Sequence, residues 1–207
     1  DLATALPILT AEIAQASAEG TEDISGWWRY LDRLRSKYPI GWAAPEDGMM
    51  APQEVLKKLS DKVGPDAIYV TGVGQHQMWV AQFYPFDRPR QLITSGGQGT
   101  MGYGLPAGVG AKIAKPEDIV VNFTGDGSIL MNIQELMTAT EIDKPVINVI
   151  LNNNFLGMVR QWQTFFYGER YSSTDLSLQP DFVKITEGFG AVGFVFSPKD
   201  EFCSALK

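Results

Sequence analysis

Two polar residues that each follow a predicted buried strand are the first sign of chemistry in this sequence. Asp126 lies in a Gly-Asp-Gly-Ser turn directly after the apolar run 119–123. Asn153 lies in an asparagine triplet directly after the apolar run 146–151. The amphipathic stretch between the two turns predicts a helix, so the segment is a βαβ unit whose parallel strands end at one sheet edge. Carboxylate and amide oxygens at that edge, beside glycines that let backbone come close, are typical of a Mg²⁺ or Ca²⁺ site.

The same residues also have a purely structural explanation. Asp-Gly and Asn-Asn are ordinary turn residues, and Gly-Asp-Gly alone would indicate only a turn. The pair at the spacing of a βαβ unit favours a ligand site instead. A helix that starts after Ser128 would direct its free N–H groups and positive dipole end at the same edge, which suits a phosphate.

The composition limits the class of protein. At 207 residues, with 44% hydrophobic and 20% charged residues, the chain suits a globular protein with one sizeable core or one domain plus part of another. The single cysteine, Cys203, excludes an internal disulfide and a thiolate cluster, and the single histidine, His76, excludes a multi-histidine metal site.

Charge and hydropathy exclude two kinds of partner. A net charge of −7 without a basic cluster argues against nucleic acid. No apolar run approaches the roughly 20 residues of a membrane span, and the N-terminus lacks a signal pattern, so we expect neither membrane attachment nor export.

The order of predicted elements indicates an α/β fold. Residues 1–39 are predicted to form two helices, over 3–18 and 24–37, that have no strand before them and resemble the tail of an upstream domain. Residues 40–50 are rich in proline and glycine, as in an interdomain linker. From residue 51 to residue 207 strands alternate with helices, which predicts a parallel sheet covered by helices on both faces.

Within that second domain the predicted boundaries are specific. The predicted strands are 67–71, 91–94, 118–123, 145–151 and 191–196. The predicted helices are 52–62, 75–83, 100–114, 129–141, 155–166, 180–189 and 198–206. The last helix has no stop signal before Lys207, so we expect the chain to be truncated there.

A glycine pattern over residues 97–102 raises a second possible ligand, a dinucleotide, which the surrounding residues do not favour. Gly-x-Gly-x-x-Gly after a strand is a nominal dinucleotide-binding pattern, but the required acid at the end of the next strand is missing, because Glu117 and Asp118 stand at its start. Gly97 and Gly99 are the better candidates for ligand approach. For Gly102, Gly104, Gly108 and Gly110, close packing of a helix on the sheet is as compatible with the sequence as a ligand role.

Two further segments could reach the same edge of the sheet. The turn over residues 72–76 places Gln75 and His76 at a helix start, where they can contact an anion, although His76 alone would suggest only a helix-end hydrogen bond. Three such turns match the place where open α/β sheets bind ligands. The helix after Asn153 carries Trp162, whose spacing is equally compatible with core packing and with the wall of a substrate channel.

Taken together, these motifs resemble the acetohydroxyacid synthase (acetolactate synthase) catalytic subunit, a thiamine diphosphate (ThDP) enzyme family. Gly-Asp-Gly-Ser with the asparagine run indicates a ThDP enzyme, and the His-Gln-Met-Trp and Met-Val-Arg-Gln-Trp segments are more specific. The likeness begins near Met50, and residues 1–39 are similar to the end of the family's middle, FAD-contacting domain. Gln98, where the family usually has Leu or Ala, and Gly72, where many members have Asp, depart from the pattern.

The resemblance implies a set of site residues by position. Asp126 and Asn153 would bind Mg²⁺ through their side chains, and Phe155 through its carbonyl. The channel for the second substrate would be bordered by Met158, Val159 and Trp162. The ThDP-contacting residues would be Val73, Gly74, Gln75, His76, Gly99, Met101, Gly125, Gly127, Ser128, Gly157 and Met158, with Met101 forcing the bent cofactor conformation.

It also implies the reaction and the partners. Pyruvate would be decarboxylated and joined to pyruvate or 2-ketobutyrate, giving acetolactate or acetohydroxybutyrate for branched-chain amino acid biosynthesis. No catalytic residue is expected in this chain, because the activating glutamate comes from an N-terminal domain across a dimer interface, and FAD is mostly bound upstream. The implied assembly is a homodimer or larger homo-oligomer with a small regulatory subunit, in the cytoplasm of a prokaryote or in a plastid or mitochondrion.

Three alternatives stay open on the sequence. The chain could belong to another ThDP-dependent 2-keto acid decarboxylase or oxidase. It could instead be a nucleotide-binding module that uses the glycine pattern over residues 97–102. A non-catalytic assembly or regulatory domain is the third.

Overall fold

The computed structural model describes residues 1–20, 22–196 and 201–202 of the chain. It contains two compact units, Asp1–Trp42 and Ala43–Lys207, and this division lies inside the predicted linker 40–50. Across the described ranges, no helix is both long enough and apolar enough to cross a membrane. The assignment of residues 1–39 to an FAD-contacting domain stays a prediction.

The first unit consists of two helices where the sequence predicts them. They are α1 (Leu2–Ala18) and α2 (Ser25–Lys37). Asp1 caps the first of these, since its carboxylate accepts a hydrogen bond from the amide of Ala3.

The second unit is built on a parallel sheet of four strands. They are β1 (Ile68–Thr71), β2 (Leu92–Thr94), β3 (Val120–Gly125) and β4 (Ile147–Leu151), in the spatial order β2-β1-β3-β4. The chain therefore adds β2 on one side of β1 and the later strands on the other. Because the direction of addition reverses between β1 and β3, a crevice for a ligand is expected at the carboxyl ends of these two strands.

Helices cover both faces of this sheet, as predicted. They are α3 (Pro52–Val63), α4 (Gln75–Phe83), α5 (Gly104–Ala114), α6 (Asp126–Leu130), α7 (Glu135–Glu141), α8 (Gly157–Phe166) and α9 (Phe182–Gly188). On one face Tyr69 and Phe123 pack with Leu56 of α3 and Val80 of α4. On the other face α5, α6 and α7 supply a second core cluster. All six residues of β3 are buried, as expected for a strand covered on both faces.

Two helix predictions need correction near the carboxyl edge. The helix predicted over 100–114 begins only at Gly104, because Gly99 and Gly102 have left-handed φ angles of 63° and 86° and form turns. The helix predicted over 129–141 begins earlier, at Asp126, and is split into α6 and α7. Asn132 lies in the break and donates a hydrogen bond to the carbonyl of Gly102.

The strand predicted over 191–196 is wrong. These residues alternate apolar and small side chains, but no described strand pairs with them. Val192, Phe194 and Val195 stay between 71% and 77% exposed. An alternating pattern specifies a strand only when a neighbour supplies the hydrogen bonds. Most of the helix predicted over 198–206 lies outside the described residues, of which 201–202 are helical.

Glycines let α5 approach the sheet closely. A Cβ atom at Gly104 would overlap Oδ1 of Asn122 and would lie 2.6 Å from the amide nitrogen of Gly72. A Cβ at Gly108 would lie 3.1 Å from Val146, whereas Gly110 faces open space. Close packing of α5 on the sheet therefore explains Gly104 and Gly108 but not Gly110.

Substitution of Gly104 should show how much the sheet edge depends on this contact. We expect Gly104→Ala to lower the free energy of unfolding by about 1–3 kcal/mol, because overpacking forces backbone to move. Gly110→Ala, on the same helix, is the matched control and should be neutral or stabilising by about 0.5–1 kcal/mol. Urea denaturation of both variants measures the difference, and equal effects would contradict the close approach.

Candidate functional site

The turns after β1, β3 and β4 enclose one cleft of about 230 Å³ at the carboxyl edge of the sheet. Every site residue implied by the family resemblance, except Trp162, lines it. These are Val73, Gly74, Gln75, His76, Gly99, Met101, Gly125, Asp126, Gly127, Ser128, Asn153, Phe155, Gly157, Met158 and Val159. The cleft lies at the β1/β3 switch point, which is where open α/β sheets generally bind ligands.

Asp126 is the only acidic residue among the described residues that line the cleft. Asp126 is the first residue of α6, directly after β3, and is 2% exposed. Within the described ranges no lysine or arginine forms an ion pair with it. A buried carboxylate is costly unless a cation or several hydrogen bonds compensate it. Oδ2 accepts a hydrogen bond from Gln179, which leaves Oδ1 available to a cation.

Asn153 and Phe155 line the cleft together with Asp126. We call these three residues the metal corner of the cleft. Oδ1 of Asn153 accepts a hydrogen bond from the amide of Phe155 at 3.1 Å. Phe155 forms an antiparallel bridge with Asp175 in which the amide of Leu156 donates to Thr174. The bridge does not use the Phe155 carbonyl, which has no hydrogen-bond donor among the described residues. This oxygen is therefore available as a ligand.

The ring of Phe155 makes a cation–π contact with Arg160, which also contacts Tyr171. The guanidinium of Arg160 lies 4.3 Å from the centroid of the Phe155 ring and 4.0 Å from that of Tyr171. Cation–π contacts of this kind fix the rings on either side of the arginine. The backbone at position 155 is thus fixed by a β-bridge and by its own side chain.

This donor set fits Mg²⁺ bound together with a phosphate. The corner offers one carboxylate, one amide oxygen and one carbonyl, and the described residues contain no cluster of three or more His, Cys, Asp or Glu. Mg²⁺ is usually held by one or two carboxylates and completes its shell with water and substrate phosphates. A cage made only of protein ligands is not needed here.

His76 stands deep in the cleft wall as a neutral imidazole. It is 5% exposed, and Nε2 has no hydrogen-bond partner among the described residues. Burial lowers the pKa of His76 from its ordinary 6.5 to about 4, which the backbone of Gly72 offsets only in part. The ring therefore has unused hydrogen-bonding capacity and carries no charge at neutral pH.

Three glycines make room for this ring. A Cβ atom at Gly74 would lie 2.8 Å from Cε1 of His76, and one at Gly125 would lie 2.9 Å from Nδ1. A Cβ at Gly72 would lie 2.9 Å from Nε2 and 2.6 Å from Oγ of Ser128. Gly72, which departs from the resembled pattern, is therefore required by packing in this chain unless His76 and Ser128 shift.

Ser128 joins two of the turns. Its Oγ accepts hydrogen bonds from the amides of Val73 at 3.3 Å and Gly102 at 3.1 Å. The hydroxyl is 2% exposed. Ser128 therefore fixes the β1 turn against the turn that precedes α5, and only its own proton remains to be donated to a ligand.

Trp162 lies outside the cleft. It is 60% exposed and packs edge to face on Phe166 with ring centroids 5.8 Å apart. Core packing within this chain, one of its two predicted roles, does not describe it. Its role in a substrate channel stays a prediction.

Several site residues were not predicted from the sequence. Trp79, Leu151 and Leu156 line the cleft. Gln179 bonds Asp126 across 53 residues of sequence and lies in a loop without a motif, so no sequence signal could have shown it. The glycine pattern at 97–102 follows the edge strand β2, and the crevice is formed at β1 and β3 instead. Only Gly99 of its two loop glycines reaches the cleft.

Comparison with known proteins identifies the family. Residues 72–207 match the thiamine pyrophosphate enzyme family over its C-terminal TPP binding domain. The chain belongs to this family. Thiamine pyrophosphate is another name for ThDP, so the matched domain is the one that binds this cofactor.

Similar thiamine pyrophosphate enzymes include several acetolactate synthases. The chain is 46% identical over 197 residues to acetolactate synthase of Mycobacterium leprae (strain TN), covering 93% of this chain and 32% of that protein. It is 48% identical over 200 residues to the large subunit of Corynebacterium glutamicum, covering 95% and 32%. It is 45% identical over 195 residues to the isozyme 3 large subunit of Escherichia coli (strain K12), covering 94% and 34%. The chain spans about a third of the length of these relatives.

A solved structure confirms the fold. ThDP-dependent 4-hydroxybenzoylformate decarboxylase of Rhodococcus jostii RHA1 superposes with a TM-score of 0.71 at 28% identity. The superposition covers 82% of this chain and 32% of the decarboxylase. The α/β fold with a parallel sheet is therefore shared with a ThDP enzyme.

The neutral state of His76 predicts how stability depends on pH. The unfolded chain binds a proton at His76 below pH 6.5, whereas the folded protein binds it only near pH 4. Stability is therefore complete above pH 6.5 and is lost as the pH falls, by about 1.4 kcal/mol per pH unit. The measurement is urea denaturation of the ligand-free protein from pH 7 to pH 4, compared with His76→Gln, which has no such group. Parallel pH profiles would show that burial does not hold His76 neutral.

Proposed function

We propose that this chain is the ThDP-binding domain of an acetolactate synthase catalytic subunit. Such an enzyme decarboxylates pyruvate and joins the two-carbon unit to a second 2-keto acid in branched-chain amino acid biosynthesis. The observation that carries the proposal is the 45–48% identity to acetolactate synthase large subunits, which extends over more than nine-tenths of the chain. The cleft, with its buried Asp126, supports it.

The residues of the corner would bind the metal. Asp126 through Oδ1, Asn153 through its side-chain oxygen and Phe155 through its carbonyl would hold Mg²⁺, which neutralises the diphosphate of ThDP. Bound ThDP supplies the electron sink that decarboxylation of a 2-keto acid requires. The protein positions that chemistry and excludes water from it.

The walls of the cleft would orient the rest of the cofactor. Gln75, His76, Gly127 and Ser128 would contact the diphosphate, and the uncharged His76 would act as a donor without repelling the metal. Gly99 and Met101 would lie against the two rings. Met158 and Val159 begin α8 beside the metal corner and would border the entry of the second 2-keto acid.

The cleft supports only half of a complete active site. Its volume of about 230 Å³ is below the roughly 300–1,000 Å³ of ordinary ligand pockets. Among the described residues, Asp126 is the only acid that lines it, and this side chain would be committed to the metal. By resemblance to the family, the glutamate that activates the aminopyrimidine would come from another domain of a homodimer or larger oligomer, with FAD and a small regulatory subunit as further partners.

A simple 2-keto acid decarboxylase is the second candidate. The structural likeness to 4-hydroxybenzoylformate decarboxylase supports it. The two functions differ in what happens after CO₂ leaves, since a decarboxylase protonates the remaining unit to an aldehyde. Product analysis with pyruvate distinguishes them: acetolactate supports the proposal, and acetaldehyde without acetolactate contradicts it.

Removal of the charged ligand tests the metal corner. We expect Asp126→Ala in the intact protein to abolish Mg²⁺-dependent ThDP binding, because it removes the only charged metal ligand. Asn153→Ala should weaken binding less, since it removes a neutral oxygen. Titration calorimetry with ThDP at fixed Mg²⁺ measures both. Unchanged ThDP affinity in Asp126→Ala would reject the site.

Substitution of Trp162 tests the channel. If its exposed indole forms part of the wall for the second 2-keto acid, Trp162→Leu changes the ratio of acetolactate to acetohydroxybutyrate by an amount equivalent to about 1–3 kcal/mol. The thermal midpoint should change little, because Trp162 is 60% exposed. Competition between pyruvate and 2-ketobutyrate in the intact enzyme measures the ratio. An unaltered ratio with the ThDP requirement intact would reject the channel role.

A further inference from the structure

We propose that Gln179 is a positioning residue for the metal ligand Asp126, holding one carboxylate oxygen so that the other faces the cation. The inference rests on the proposed function, because it concerns how the same Mg²⁺ site is organised. Gln179 is half-buried and lies in the loop before α9, far from Asp126 in sequence. Its side chain would act through Asp126 and would not itself bind the metal.

A chain of directional hydrogen bonds fixes which end of the Gln179 amide faces Asp126. The backbone amide of Asn154 donates to Oδ1 of Asn152 at 3.1 Å, so the NH₂ group of Asn152 must point the other way. That NH₂ group donates to Oε1 of Gln179 at 2.8 Å. Nε2 of Gln179 is then the atom left to donate to Oδ2 of Asp126. The direction of all three hydrogen bonds therefore follows from the backbone amide of Asn154.

This arrangement assigns a separate task to each oxygen of Asp126. Gln179 occupies one lone pair of Oδ2, whereas no described residue donates a hydrogen bond to Oδ1, so Oδ1 is the oxygen with both lone pairs available to the metal. With its own oxygen already accepting from Asn152, Gln179 cannot turn to become a ligand unless that hydrogen bond breaks. Carboxylate ligands of metals are commonly held in this way by a neighbouring donor.

The loop that carries Gln179 is anchored at both ends. Before it, the amide of Leu176 donates to the carbonyl of Asn154 at 2.8 Å. After it, Asp181 caps α9 by accepting from the amides of Val183 and Lys184. Because the backbone is fixed on both sides, the Gln179 side chain reaches Asp126 without ordering the loop first.

The experiment removes the donor and keeps the length of the side chain. In the intact protein, Gln179→Met should weaken Mn²⁺ binding, measured by electron paramagnetic resonance as a substitute for Mg²⁺, by about 10–100-fold. Asn152→Ala, which frees the Gln179 amide to turn, should weaken it less. ThDP affinity in both variants should recover at high Mg²⁺, because only the metal step is impaired.

Gln163→Met is the matched control. Gln163 bonds Ser172 and Thr174 and holds the same loop, but it has no contact with Asp126. It should leave Mn²⁺ affinity unchanged even if the thermal midpoint of the ligand-free protein falls.

Two results would overturn the inference alone. They are unchanged Mn²⁺ affinity in Gln179→Met, and an equal loss in Gln179→Met and Gln163→Met, which would mean that loop stability governs the effect. If the unsubstituted protein binds neither Mn²⁺ nor ThDP, the proposed function fails and the inference fails with it.

Discussion

The structure around the cleft is organised by one buried negative charge. Asp126 lies at the end of the central strand, 2% exposed, and the described lysines and arginines do not pair with it. Such a charge is stable only if something else compensates it. Gln179 donates a hydrogen bond to one oxygen, and Asn153 and Phe155 line the same cleft. Under the proposed function, a divalent cation would compensate the other oxygen.

The sheet topology explains why the proposed diphosphate contacts lie in the same cleft as Asp126. The strand order reverses between β1 and β3, which separates the following turns and opens the crevice. Glycines allow close contacts around the crevice. Because Gly74 and Gly125 have no Cβ atom, the His76 ring can pack against them, and Gly104 lets α5 approach the sheet for the same reason. Because burial keeps His76 neutral, the cation is not opposed by a second positive charge. Under the proposed function, the metal and the diphosphate of ThDP would share the site.

Much of this arrangement could be predicted from the sequence. Asp126 and Asn153 each follow an apolar strand, and strand periodicity with βαβ spacing places them at one edge. The parts that failed depend on contacts distant in sequence. Asn132 bonds Gly102 within the break between α6 and α7. The run 191–196 lacks a pairing strand among the described residues, and Gln179 reaches Asp126 only through the tertiary fold.

In the proposed function, ThDP and a divalent cation bind together at the Asp126 corner. Anomalous diffraction from crystals of the intact protein grown with ThDP and Mn²⁺ would show whether they do. We predict one Mn²⁺ peak within coordination distance of Oδ1 of Asp126, Oδ1 of Asn153 and the carbonyl of Phe155. Bound ThDP with no peak at that corner, or a peak at another place, would contradict the account.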